Sequence, residues 1–145
     1  MRLVPDIALP AHAHIPTTGS SPDLAPLEMA RQLAPRVTQA ADWKQNKTYL
    51  YGHDLMRAGY YWEAHEVWET VWLATGANSP ERLLLRMLIQ NTNAQLKRKM
   101  GRTAAADKLD VQIAELRSDL SSRLGGEVDL YMGVAINNLN MHYNA

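Results

Sequence analysis

Apolar residues recur at helical spacing along most of the chain. Leu109, Ile113, Leu116 and Leu120 alternate four and three apart, and Leu124 follows them, so one apolar stripe predicts a helix over residues 103–124. Upstream, Ser79-Pro80 makes a cap and first-turn pair for a helix that runs to about Met100 and stops at Gly101. The pattern predicts helices over residues 26–41, with Pro35 kinking or splitting the first, and over 43–57, ending at Ala58-Gly59. A helix over 60–74 stops at Thr75-Gly76-Ala77-Asn78, and a last one over 127–143 follows Gly125-Gly126. Short links make successive helices antiparallel neighbours, hence an all-α, up-and-down bundle of about five to six helices. Residues 1–25 break the pattern, because Pro5, Pro10, Pro16 and Pro22, with Gly19, Ser20 and Ser21, disfavour both helix and alternating strand. They read as an extended arm whose Leu3, Val4, Ile7, Leu9 and Ile15 favour docking, with residues 26–145 as a single domain.

Composition narrows the function classes. A chain of 145 residues, 46% hydrophobic, expects one core and buries roughly two thirds of its unfolded surface without a disulfide or structural metal. The absence of cysteine removes thiolate chemistry, cysteine-based zinc sites and iron–sulfur clusters, and agrees with a reducing compartment. Fifteen basic residues balance fifteen acidic ones, so nothing supplies the basic excess that a nucleic-acid or anionic-membrane surface demands. Lys97, Arg98, Lys99 and Arg102 form one basic cluster at a predicted helix end, where cations complement the dipole. No apolar run approaches the roughly 18 residues of a membrane span, and the start Met-Arg-Leu-Val-Pro-Asp lacks the layout of a secretion signal, so a cytoplasmic location is expected.

Residues 59–72 concentrate the candidate chemistry: one histidine, three carboxylates, three tryptophans and two tyrosines. On one helix, Tyr61, Ala64, His65, Trp68, Val71 and Trp72 share a face, while Glu63, Val67 and Thr70 point the other way. His65 is therefore expected to be buried. Glu69, four residues on, is close enough to touch it, and Glu66 stands on the flank. Three readings compete. As a binding module, His65 and Glu69 orient a ligand's polar group, Trp68 and Trp72 supply apolar contact, and Gln90, Asn91 and Asn93 add donors and acceptors. As a metal-dependent hydrolase, His65 and Glu69 hold a divalent metal and Glu66 acts as general base, as in the zinc-protease helix His-Glu-x-x-His. Glu69 stands where that motif has its second histidine, so a further ligand must come from His53, His142, or His12 and His14 of the arm. As a structural pair, His65 is a neutral imidazole held by Glu69 and Gln90. A di-iron bundle is disfavoured because Glu-x-x-His is absent, and the chain has neither a Gly-x-Ser-x-Gly elbow nor a phosphate-cradling glycine loop.

The run Gly59, Tyr61, Ala64, His65, Glu66, Trp68, Glu69 and Trp72, followed by Leu88-Ile89-Gln90 and Gly101, resembles the signature of the bacterial, archaeal and plastid family called domain of unknown function 309. The segment Leu9-Pro10-Ala11-His12-Ala13 is similar to the N-terminal segment of its proteobacterial members. The match covers roughly residues 45–102 and implies a small all-helical fold without implying an activity. It draws attention to His65, Glu66, Glu69, Trp72 and Gln90. The chain departs from the pattern at Asp54-Leu55-Met56-Arg57, where a phenylalanine–asparagine pair is expected, and at Leu85-Arg86-Met87, where a glycine is usual. Gly59-x-Tyr61-x-x-Ala64 is also similar to the hinge of a tetratricopeptide hairpin, but no second copy follows at a period of about 34 residues. The partner expected is a small molecule or a protein. The apolar arm and the asparagines 137, 138, 140 and 144 make a homodimer a further candidate.

Overall fold

A computed structural model describes residues 1–137. Local signals set most helix ends. Helix α1 spans Ala25–Gln32 and stops short of Pro35, whose ring disfavours helical geometry in the residue before it. The predicted helix over 26–41 is thus cut to its first half, and a 3-10 helix, Ala40–Gln45, follows. Helix α2, Lys47–Arg57, starts at Asn46, whose side chain accepts the Tyr49 N–H at 3.0 Å. Gly59 takes φ +87° after its last turn, a left-handed conformation that suits glycine and reverses the chain into α3, Tyr61–Leu73. Helix α4, Pro80–Lys99, begins at Ser79, whose hydroxyl accepts the Arg82 N–H at 3.1 Å, with Pro80 in the first turn. Helix α5 covers Thr103–Arg123.

The fold is an all-α bundle in which α3 packs on α2 and α4, and α4 packs on α5. The core is built from Tyr49, Tyr51 and Leu55 of α2, Ala64, Val67, Trp68 and Val71 of α3, and Leu84, Leu85, Met87 and Leu88 of α4. Among the described residues no helix is long and apolar enough to cross a membrane.

The helix predicted over 127–143 does not form in its described part. Leu130–Tyr131 (β1) and Val134–Ala135 (β2) pair antiparallel, Leu130 opposite Ala135 and Tyr131 opposite Val134. Met132 and Gly133 turn between them with φ of 50° and 79°, the two left-handed residues of a tight hairpin turn. Tertiary contacts decide this outcome. The Tyr49 hydroxyl donates to the Met132 carbonyl at 2.7 Å, and Trp43 packs so closely on Gly133 that a Cβ there would meet the ring at 2.8 Å. Asn137, a candidate partner contact by sequence, donates its side-chain N–H to the Val128 carbonyl at 3.0 Å and closes the base of this hairpin. His142 and the asparagines 138, 140 and 144 lie outside the described residues.

Residues 1–24 contain no helix and lie against α2 and α3. Asp54 accepts the Leu3 and Val4 N–H groups at 2.7 and 2.8 Å and stands 3.0 Å from the Arg2 Nε. Tyr51 and Tyr60 donate their hydroxyls to the Ala8 and Pro10 carbonyls at 2.7 and 3.0 Å, and Val4 and Ile7 enter the core. Extended backbone needs partners from outside itself, and α2 and α3 supply them with side chains.

Candidate functional site

The rotation of α3 about its own axis positions the candidate site. Its buried residues are Glu63, Ala64, Val67, Trp68 and Val71, an arc centred roughly a third of a turn away from His65. Trp68 sets that rotation. Its indole is fully buried flat on α2 at Gly52, and its Nε1–H donates to the Tyr49 carbonyl at 3.0 Å. Two expectations are corrected as a result. His65 is not a core residue, since a quarter of its side chain is exposed, and Glu63, expected to face outward, is fully buried.

His65 stands between two carboxylates. Its Nδ1 lies 3.5 Å from Glu66 Oε1 and its Nε2 lies 3.4 Å from Glu69 Oε1. Ligand atoms of the three residues come within 4.8 Å of one another, and among the described residues they form the one cluster of three or more that could hold a metal ion. The second Glu66 oxygen accepts from the Arg31 guanidinium at 2.9 Å. Arg31, in the last turn of α1, was not legible as a site residue because an exposed arginine at a helix end is ordinary. It compensates Glu66, so the remaining negative charge sits on Glu69, whose side chain is 50% exposed.

The other sequence candidates are placed elsewhere. His53 is buried in the core of α2, edge-on to Tyr49 at 4.7 Å and to Trp68 at 4.9 Å. Burial, with Arg57 nearby, pushes its pKa down to about 3, so it is a neutral core imidazole outside the His65 cluster. Trp68 is a core wedge without ligand-facing surface. Trp72 is half-buried under the Arg82 guanidinium, which lies 4.0 Å from its ring centre, as Tyr61 lies 5.7 Å from the Lys99 ammonium. Gln90 accepts from Asn93 at 3.2 Å and lines a groove with Arg86, Gln112 and Glu115, with no hydrogen bond to His65. The structural reading of His65 thus loses one of its two supports.

The histidines of the arm do not form a pair. His12 Nε2 bonds the Ser21 carbonyl at 2.7 Å, whereas the His14 ring stands edge-on to Trp62 at 4.8 Å. The His14 backbone N–H donates to Glu63 Oε2 at 2.8 Å. Burial raises the Glu63 pKa, and this hydrogen bond lowers it in opposition. The second Glu63 oxygen and the His14 Nδ1 are buried without a partner. Sequence reasoning missed Glu63 because its partner is the backbone of a segment 49 residues earlier, which leaves no local signal.

Residues 49–109 match the model of the family described as Domain of unknown function (DUF309), which bears out the resemblance read from Gly59, Tyr61, Ala64 and the residues that follow. The matched segment runs from α2 into α5 and contains His65, Glu66 and Glu69 but not Arg31 or the arm. Comparison with curated proteins and with solved structures returns no match.

Proposed function

We propose that the domain of unknown function in this chain is a binding module, and that its site is the exposed edge of α3 formed by His65, Glu66 and Glu69. One observation carries the reading: two carboxylates and an imidazole converge within 4.8 Å on a half-exposed helix edge whose rotation is locked by a buried tryptophan. A locked backbone presents the three groups without a backbone ordering cost at the moment of binding, leaving only their side-chain rotamers to be fixed. With Glu66 compensated by Arg31, the uncompensated Glu69 beside His65 suits a positively charged ligand group, either a divalent cation or a protonated amine. Trp72 supplies no open aromatic wall here, because Arg82 covers it. A cysteine-free chain without a basic excess suits the cytoplasm, where we place it.

The same cluster supports a second reading, the metal-dependent hydrolase. Two features weigh against it. Catalytic zinc commonly rests on three protein ligands, and His65 with Glu69 gives two if Glu66 is to be the base. Glu66 is also held by the Arg31 guanidinium at 2.9 Å, and a carboxylate stabilised by an arginine is a weaker base toward water.

The test is calorimetric titration of the untagged protein with zinc and with manganese, beside His65→Ala and Glu69→Gln. The reading expects one ion per chain, bound about tenfold or more weakly in each variant, with the helical content unchanged. Equal binding by the variants, or no binding by the parent protein, removes the cation site.

A further inference from the structure

A second site lies away from His65, at the end of the bundle where the C-terminus of α3, the start of α4 and the end of α5 meet. We propose that this groove binds the phosphate group of a small phosphorylated, hydroxyl-rich molecule such as a sugar phosphate. Arg82, Arg86 and Arg123 line it, together with Trp72, Ser79 and Asp119, around a volume of about 260 Å³. The three guanidiniums carry the argument. Among the described residues Arg2, Arg31 and Arg98 each stand within 4.0 Å of a carboxylate, whereas the scattered Arg36, Arg57 and Arg102 do not, nor do Arg82, Arg86 and Arg123, and these last three alone share one groove. Two of them are held in place by neutral partners instead. Arg82 donates to the Thr75 hydroxyl at 3.3 Å and lies over the Trp72 ring, while Arg123 donates to the Asn78 carbonyl. Their orientation is therefore fixed while their charge stays uncompensated, and Arg86 adds a third, exposed cation.

Crowding three positive charges into one groove is unfavourable unless an anion completes it, and guanidinium is the side-chain group best matched to phosphate oxygens. One further feature favours an anion: Ser79 is the N-cap of the 20-residue helix α4, whose positive dipole end opens on this side. Asp119 is the one carboxylate in the lining, so the groove keeps a net positive charge.

The body of the ligand follows from where the groove leads. A second groove, of about 340 Å³, shares Arg86 and Asp119 with the first and continues along α4 and α5 past Gln90, Gln112 and Glu115. Amides and a carboxylate are hydrogen-bonding partners for hydroxyl groups, and one Trp72 face is already taken by Arg82, which disfavours stacking of a nucleobase. Gln90, a candidate for the His65 site by sequence, belongs to this groove.

The experiment is calorimetric titration of the full chain with glucose 6-phosphate at low salt, with glucose and sulfate as comparison ligands. Arg86→Gln, Arg123→Gln and, as a control distant from the groove, Arg36→Gln are measured in parallel, each checked for unchanged helical content. We expect one sugar phosphate per chain, weakened about tenfold or more by Arg86→Gln and by Arg123→Gln, unchanged by Arg36→Gln, and weakened by added salt. No binding, binding of sulfate as tight as that of the sugar phosphate, or binding indifferent to both groove variants overturns the proposal.

Discussion

Gly52→Ala tests the packing that positions the candidate site, and in it two effects of opposite sign compete. In an exposed helix interior this change stabilises by about 1 kcal/mol, because alanine restricts the unfolded chain and favours the helix. Here the added Cβ would fall no farther than 2.5 Å from Nε1, Cε2 and Cδ1 of Trp68, where ordinary contact needs more than 3.4 Å. The indole is fully buried, so it can yield only by displacing its neighbours. Overpacking of this kind costs about 1–3 kcal/mol. Shifting the ring also breaks the 3.0 Å bond from Nε1 to the Tyr49 carbonyl, leaving the buried indole N–H unpartnered. That adds about 1–3 kcal/mol, so after the helical gain the net loss is about 3 kcal/mol. For a chain of this size the loss lowers Tm by roughly 10 °C. Thermal unfolding followed by circular dichroism measures it. In a Trp68→Phe background the same glycine change costs less, because the five-membered ring it strikes is gone, and the coupling is about 1 kcal/mol or more. A Tm that stays level or rises in Gly52→Ala would falsify the argument that Trp68 locks α3. The zinc titration of that variant would then carry no information about the rotation of His65.

Two further predictions follow from buried polar groups. Asp54→Ala removes the shared acceptor of the Leu3 and Val4 N–H groups and the partner of Arg2, at a cost of about 3 kcal/mol. Hydrogen exchange should rise in residues 2–14 while α4 stays protected, and unchanged exchange in the arm would show that Asp54 does not hold it. The pH dependence follows from His53, whose pKa falls from about 6.5 to about 3 on burial. The unfolded chain binds its proton first, so the stability contributed by neutral His53 is fully present above about pH 6.5 and is lost as the pH falls toward 3. Urea unfolding across that range should show a shallower slope against pH in His53→Gln than in the parent, and identical slopes would contradict the burial of a neutral ring.

Local chemistry alone determined the helix ends at Gly59, Ser79-Pro80 and Gly101, because caps and breakers act within one turn of backbone. It also made the His65–Glu69 neighbourhood legible, since residues four apart on a helix are adjacent whatever surrounds them. What surrounds them was decided by tertiary structure. The spacing of α3 admitted His65 as a core residue, but the fit of Trp68 on Gly52 turned the helix and brought His65 to the surface. The same turn carried Glu63 inward, where the His14 N–H of an arm 49 residues earlier donates to it, a partner that no residue near Glu63 announces. The segment after Gly126 shows the same division. Val128, Leu130, Met132, Val134 and Ile136 alternate with a strand's period, yet a two-residue strand pair is too short to persist on its own. The Tyr49 hydroxyl and the Trp43 ring, both distant in sequence, supply the contacts that make the hairpin rather than a helix the lower state. Helix limits depend on interactions between residues a few positions apart, whereas the buried face of a helix, and the form of a short apolar segment, depend on which distant surface it meets.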